Sequence, residues 1–232
     1  MYSYLTEAFS AQPPVWNITE PELYNVEGVG KLYLRSNFDF VQTPLIKGEI
    51  FDKEIFDKIL KHTKKNSTAL DIGAYIGHMS IGMKNAGANK VYSFEPNKDL
   101  KKQLQMNLSI NKVPGKLFDI ALSDKNEILY TKKFNNDNLG HLIWDNSREP
   151  QSEETKAITL DSLNFKNVSL IKIDVEGGEK KVLKGAKNTI KNNRPIILIE
   201  DFNGFDNNKK LAKQYNYNNV QIIKEHNYIW LP

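Results

Sequence analysis

Ala69-Leu-Asp-Ile-Gly-Ala-Tyr-Ile-Gly-His78 joins a short apolar run to a helical one, and that junction sets the reading of the whole chain. Residues 68–72 predict a strand and residues 76–86 a helix. The glycines at 73 and 77 let the backbone turn tightly and approach a ligand at the helix N-terminus. Outward from this junction the alternation recurs: strand 90–94, helix 97–111 and strand 116–122, then strand 170–175, helix 178–191, strand 196–201 and helix 207–215. Strands alternating with helices form a parallel sheet covered on both faces, because parallel neighbours need crossover connections. The last two strands, 220–224 and 228–231, are separated by only three residues and close as an antiparallel hairpin on the sheet edge. The expected class is α/β: a Rossmann-like sheet, mostly parallel, with a C-terminal antiparallel hairpin.

Upstream, residues 50–62 carry apolar side chains at helical spacing, with Ile55, Ile59 and Leu60 on the expected buried stripe. Residues 1–50 read as an N-terminal arm or hairpin, with short alternating pieces such as Lys31-Leu-Tyr-Leu-Arg35 among Pro13, Pro14, Pro21 and Pro44. Residues 51–232 read as one domain with a polar insertion near 123–159, too long for a plain connection. The 232-residue chain has no cysteine, which removes disulfides, thiolate nucleophiles and cysteine metal sites. Its net charge is +4, yet the first thirty residues carry −4 and the remainder +8. That asymmetry suggests an arm lying on a basic body, or on a second subunit of a homo-oligomer. Only three of the 32 basic residues are arginine (Arg35, Arg148 and Arg194), a poor complement for reading nucleic acid. No apolar run is long enough to span a bilayer, and the N-terminus lacks a signal pattern. The expected compartment is the cytoplasm, the host's if the source is viral.

A parallel sheet finished by such a hairpin is the architecture of class I methyltransferases, an analogy of fold that does not establish function. The glycine loop narrows the choice. A dinucleotide fingerprint beginning at Gly73 requires glycine at 75 and 78, where this chain has Tyr75 and His78. Asp71 would also repel a pyrophosphate, but it suits the amine and ribose of a cationic cofactor. Glu95 ends the next strand 24 residues later, near the distance at which nucleotide folds place an acid for ribose hydroxyls. Asp71 and Glu95, with Gly73, Ala74, Tyr75 and Gly77 between them, read as an S-adenosylmethionine site. Asp119 and Ala121, at the end of the third strand, are expected to flank the adenine, and Tyr75 to line the loop. His78 reads as a structural or capping contact, and His62 and His226 as packing or surface residues.

A second signature, Leu170-Ile-Lys-Ile-Asp-Val-Glu-Gly-Gly-Glu179, is followed by Val182-Leu-Lys-Gly-Ala186. Together with Asp71-Ile-Gly-Ala-Tyr-Ile-Gly77, Phe94-Glu-Pro96, Ala121-Leu-Ser-Asp124 and Thr159-Leu-Asp-Ser-Leu163, it resembles the FkbM family of methyltransferases over roughly residues 40–203. The resemblance implies a class I methyltransferase fold, S-adenosylmethionine as donor, and hydroxyl methylation on sugars or polyketide-type natural products. Tyr75 departs from the asparagine common in that family, and residues 1–40 lie outside the resemblance.

A sulfonium donor supplies its own leaving group, so the protein must mainly align acceptor oxygen, methyl and sulfur. A sugar hydroxyl is a weak nucleophile and needs a general base or a metal. The acids at the carboxyl ends of the later strands are Asp174, Glu176, Glu200 and Asp201, on the edge where open α/β sheets place ligands. They admit three readings: a general base, a Mg²⁺ site, or capping and loop structure, with the direct base preferred. Asp174 can also touch the donor, and Glu179 reads as a partner of its own helix dipole. In the insertion, Asn138, His141 and Trp144 are candidates for contact with a sugar, glycan or other small hydroxylated acceptor. Two other functions compete: a nucleotide-binding, sugar-modifying oxidoreductase, disfavoured by the missing glycine, and a noncatalytic binding protein that retains the fold.

Overall fold

The computed structural model describes residues 20–35, 39–132, 143–149 and 152–232. Its first half runs β1 (Glu22–Val26), β2 (Gly30–Leu34), α1 (Gln42–Ile46), α2 (Lys53–His62), β3 (Thr68–Ile72), α3 (His78–Asn85), β4 (Lys90–Phe94), α4 (Lys98–Ile110) and β5 (Gly115–Phe118). Then come β6 (Ala121–Leu122), β7 (Glu127–Lys132), β8 (Ile143–Asp145), β9 (Glu154–Ile158) and β10 (Val168–Ile173). The chain continues through α5 (Glu179–Gly185), α6 (Lys187–Asn193), β11 (Ile196–Glu200), α7 (Phe205–Lys213), β12 (Asn219–Lys224) and β13 (Asn227–Leu231).

The main sheet has the order β12-β13-β11-β10-β3-β4-β5. Its β11-β10-β3-β4-β5 core is parallel, and β13 runs antiparallel to both β11 and β12, so the sheet ends in the expected hairpin. The central strands β3 and β10 are buried along their whole length, because helices cover both faces. Two charges nevertheless lie inside them, Asp71 and Lys172, directly opposite each other in the register. A buried charge persists only with a partner, and each strand supplies the other's.

Four features differ from the pattern read in the sequence. Residues 116–122 are not one strand: β5 pairs with β4, and after Asp119 the chain leaves the main sheet so that β6 pairs with β9. The insertion is therefore itself a sheet, of order β6-β9-β7-β8. Residues 178–191 form two helices, not one. The Cα of Gly185 packs so tightly on the Ser123 carbonyl that a Cβ would lie 2.0 Å from that oxygen. Asp161 then starts the second helix by accepting from the Asn188 and Thr189 amides at 2.8 and 2.7 Å. On α2 the buried stripe is Ile55, Phe56 and Ile59, while Leu60 is exposed. Phe56 lies three residues before Ile59 and shares its face, whereas Leu60 is rotated by one residue. Finally, β1 and β2 bring Val26, Leu32 and Leu34 into the same core as Ile81 and Phe56. Asn107 on α4 and Asn111 just after it accept from the backbone amides of Tyr33 and Lys31, which ties this hairpin to α4.

Candidate active site

The glycine loop is stitched to its neighbours by backbone. The amides of Gly73 and Ala74 both donate to the Phe94 carbonyl at 3.0 Å, and the Asp174 amide donates to the Ile72 carbonyl at 3.0 Å. Gly73 has φ +81°, and a Cβ there would lie 1.7 Å from the Asp174 carbonyl oxygen. The loop therefore needs glycine at 73 for strand contact as much as for conformation. Tyr75, at φ 50°, is held from both ends. Its amide donates to Glu95 at 2.9 Å, and its phenol donates to Asp39 and accepts from Gln42 at 3.0 Å. Tyr75 thus ties the donor loop to the N-terminal elements that carry Phe40 and Val41.

Two cavities flank this loop and share Gly73, Glu95, Asp174 and Glu176, so they are halves of one cleft. One half is walled by Phe94, Ile120, Ala121, Leu122 and Trp144, with the Glu95 carboxylate at its edge. Glu95 is buried, accepts from the Asn97 and Tyr75 amides, and is pushed up to about 7 by burial, against those hydrogen bonds. The other half, about 220 Å³, lies under Phe40, Phe51 and Phe202 and reaches Lys172, Asp174, Glu200 and His78.

The charged floor of the second half is a linked set. Lys172 donates to Asp174 at 3.0 Å and to the Gly73 carbonyl at 3.3 Å, and lies 3.8 Å from Asp71. Burial works against its charge, but Asp174 and Asp71 outweigh it and raise its pKa. Asp174 in turn is lowered: burial opposes the charge, while Lys172 and a hydrogen bond with Glu200 more than offset that. Glu200 is pushed up to about 8 by burial and by the Asp174 charge, so the Asp174–Glu200 pair holds one proton at neutral pH. Glu176, at φ 54°, is pushed up to about 7 by burial and by the charges of Asp174 and Glu179. Oxygens of Asp174, Glu176 and Glu200 lie within 4.8 Å of one another, an arrangement compatible with a cation but here held by Lys172 and a shared proton.

The residues singled out in the sequence fall into three groups. Gly73, Ala74, Tyr75, Glu95, Ala121, Asp174, Glu176 and Glu200 line the cleft. Asp71, Gly77 and Asp119 line neither half. Asp71 is fully buried, accepts from Ser80 at 2.6 Å and faces Lys172, so it braces the site from behind instead of facing a cofactor amine. Gly77 begins α3, where a Cβ would meet Leu104 at 2.7 Å. Asp119 pairs with Lys101 at 2.6 Å in a separate groove, and its neighbour Ile120 lines the first half of the cleft. Asp201 is a loop brace before α7, accepting from the Asn203 amide and the Asn208 side chain, and Glu179 in the first turn of α5 accepts from the Gly177 amide. Trp144 lines the half with Ala121, which also reaches Asp174 and Glu176 but not Glu200 or Lys172. Asn138 and His141 lie outside the described residues. His78 makes no capping bond. It is 5% exposed and lines the second half, with the Phe51 backbone nearby and neither ring nitrogen in a well-formed hydrogen bond among the described residues.

Lys172 is the functional side chain missed from the sequence. The signal was a lone lysine within Val168-Ser-Leu-Ile-Lys-Ile173, a run otherwise fit for a fully buried strand.

A parallel sheet with this strand order, an antiparallel terminal hairpin and a ligand cleft at the strand carboxyl ends defines the class I methyltransferase fold. The Methyltransferase FkbM domain description matches residues 71–229, and the chain belongs to that family. Among solved structures, the methyltransferase FkbM from Methylobacillus flagellatus KT is 16% identical, with a TM-score of 0.51 over 71% of this chain and 43% of that one. The Pyrococcus abyssi tRNA (uracil-54, C5)-methyltransferase, in complex with S-adenosyl-L-homocysteine, is 14% identical, with a TM-score of 0.51 over 91% of this chain and 44% of that one. This chain thus spans less than half the length of either, and the likeness is one of fold. No curated protein matches the sequence. Among the described residues no helix is long and apolar enough to cross a membrane.

Proposed function

We propose that the chain is an S-adenosylmethionine-dependent O-methyltransferase acting on a hydroxyl of a sugar, glycan or other small hydroxylated acceptor. The observation that carries this is the Asp174–Glu200 pair, a proton-holding carboxylate couple on the floor of a cleft whose other half suits an adenosine. The donor fits the residues present. Phe94, Ile120 and Ala121 offer apolar surface for a base, and Glu95, which forms no ion pair among the described residues, retains lone pairs for two ribose hydroxyls. Among the cleft residues the cations are Lys172, engaged by Asp174, and Lys181, which donates to Asn146 at 3.1 Å. That balance suits a positively charged donor better than a pyrophosphate cofactor, and it weighs against the oxidoreductase alternative.

When bound, S-adenosylmethionine supplies a methyl group on a cationic sulfur that leaves as a neutral thioether. The chain's part is to bind, orient and remove a proton. Glu200, with a pKa of about 8, takes the acceptor hydroxyl's proton once the pair has lost its own, so the base form grows as pH rises toward 8, and Asp174 orients it through their hydrogen bond. Lys172 keeps Asp174 charged, and Asp71 keeps Lys172 in place. Phe40, Phe51 and Phe202 give that half an apolar wall beside the pair. We favour this direct base over a Mg²⁺ site, because Lys172 already supplies the positive charge a cation would bring.

The test has two parts: calorimetric titration with S-adenosylhomocysteine, and transfer of labelled methyl to a panel of glycosides, polyols and an RNA oligonucleotide with and without EDTA. Binding of S-adenosylhomocysteine with EDTA-resistant labelling of a hydroxyl is the expected result. Failure to bind it, or labelling of the RNA base alone, overturns the reading.

A further inference from the structure

His78 is a buried side chain with no structural bond to make. Its ring meets the edge of Phe51, with centroids 6.3 Å apart at 68°, neither nitrogen has a hydrogen-bond partner among the described residues, and the residue lines the cavity that holds Asp174 and Glu200. Buried polar atoms in native proteins nearly always have partners, and an unsatisfied one marks a strain, a water or a ligand. Among the described residues, the other buried side chains with an unpartnered nitrogen or oxygen are Arg35, Thr63, Asp71 and Gln103, and none of them lines this cavity.

Resting on the O-methyltransferase reading above, we propose that His78 is an acceptor-binding residue. Its imidazole hydrogen-bonds a second hydroxyl of the acceptor while the Asp174–Glu200 pair takes the reacting one. The chemistry of the ring supports this choice. Burial and the Lys172 charge push its pKa down to about 3, so it stays neutral and presents one donor and one acceptor nitrogen. A hydroxyl, which both donates and accepts, satisfies either nitrogen. The surroundings exclude an anionic group: Asp174, Glu176 and Glu200 line the same cavity, and its one lysine among the described residues, Lys172, is already bonded to Asp174 and Gly73. The acceptor therefore presents two hydroxyls and an apolar ring face to the Phe40, Phe51 and Phe202 wall, and carries no phosphate or carboxylate beside the methylated position.

The experiment measures steady-state transfer to neutral methyl glycosides and to their phosphate esters, with wild type, His78→Phe and His78→Asn, alongside S-adenosylhomocysteine affinity for each. The expected result is at least a tenfold rise in acceptor KM for His78→Phe, with kcat and S-adenosylhomocysteine affinity within twofold of wild type. His78→Asn should recover most of the KM, and the phosphate ester of an accepted glycoside should be refused. Titrating the accepted glycoside into protein labelled with ¹⁵N-histidine should move the His78 imidazole signals, a readout that does not depend on the variants folding. An unchanged KM with unmoved signals, a loss confined to S-adenosylhomocysteine affinity, or preference for the phosphate ester overturns the assignment. A wild type that binds S-adenosylhomocysteine but methylates no hydroxyl sinks the parent reading, and this inference with it.

Discussion

Two loops leave the sheet side by side, residues 73–77 after β3 and residues 174–178 after β10, and they are built for opposite tasks. Both turn through left-handed backbone, at Gly73, Tyr75 and Gly77 in the first and at Glu176 and Gly177 in the second. In the first loop the polar groups are answered from within the fold: Gly73 and Ala74 by Phe94, Tyr75 by Glu95, Asp39 and Gln42. In the second, carboxylates crowd one another and share a proton, and a Cβ at Gly177 would meet open space. The first loop is scaffold that shapes a cleft. The second gathers acids with raised or coupled titration beside the cleft, the kind of place where chemistry is sought.

The largest expected effect tests the second loop's side of the cleft. Glu200→Gln should lower kcat by about 10²–10⁴-fold, the usual range for a general base, with S-adenosylhomocysteine affinity unchanged by calorimetry. A variant retaining full turnover would remove Glu200 from the proton's path. The scaffold side is tested by paired glycine changes. Gly73→Ala should cost about 3 kcal/mol or more in urea unfolding, since left-handed strain adds to a collision with the Asp174 carbonyl. Gly177→Ala should cost only about 1–2 kcal/mol, the conformational term alone. Equal costs at the two sites would erase the distinction between the loops.

Glu95→Gln sits between the two cases, because this carboxylate both braces Tyr75 and faces the cleft. It should weaken S-adenosylhomocysteine by about 1–3 kcal/mol, the loss expected for charged hydrogen bonds, while leaving acceptor KM unaltered. The smallest effect is on pH dependence. Glu95, Glu176 and Glu200 all have folded pKa values raised above the unfolded value of about 4.3. The unfolded chain gives up those protons first, so stability is full below about pH 4.3 and is lost as pH rises toward about 8. The melting temperature should fall between pH 5.5 and 8.5, while kcat/KM rises through an apparent pKa near 8. Glu200→Gln should flatten the kcat/KM profile and make the fall in melting temperature shallower, with Glu95 and Glu176 supplying the rest, and a melting temperature that rises over this interval would contradict the raised carboxyls.

Much of the site could be read in the chain because its residues are local to strand ends. Gly73 and Glu95 are placed by the strands that carry them, and the acids at 174, 176 and 200 follow from the rule that parallel sheets bind ligands at their carboxyl edge. Asp71 and Asp119 show where that reasoning stops. A residue at a strand end can point into the cleft or behind it, and only the pairing of β3 with β10 decided that Asp71 meets Lys172. Similarly, the turn that sends residues after Asp119 to a second sheet depends on β9, more than thirty residues away. An alternating pattern of side chains is the same whichever strand it pairs with.

The sequence by itself determined the alternation of strands and helices, the sheet class, the glycine loop and the family, because periodicity, turn residues and strand-end acids act over a few neighbouring residues. The tertiary structure decided which buried charges pair, which carboxylates share a proton, and that His78 lines the same cavity as Asp174 and Glu200. These depend on distances between segments that are up to about a hundred residues apart in the chain, and electrostatic and hydrogen-bond energies are set by those distances and by burial.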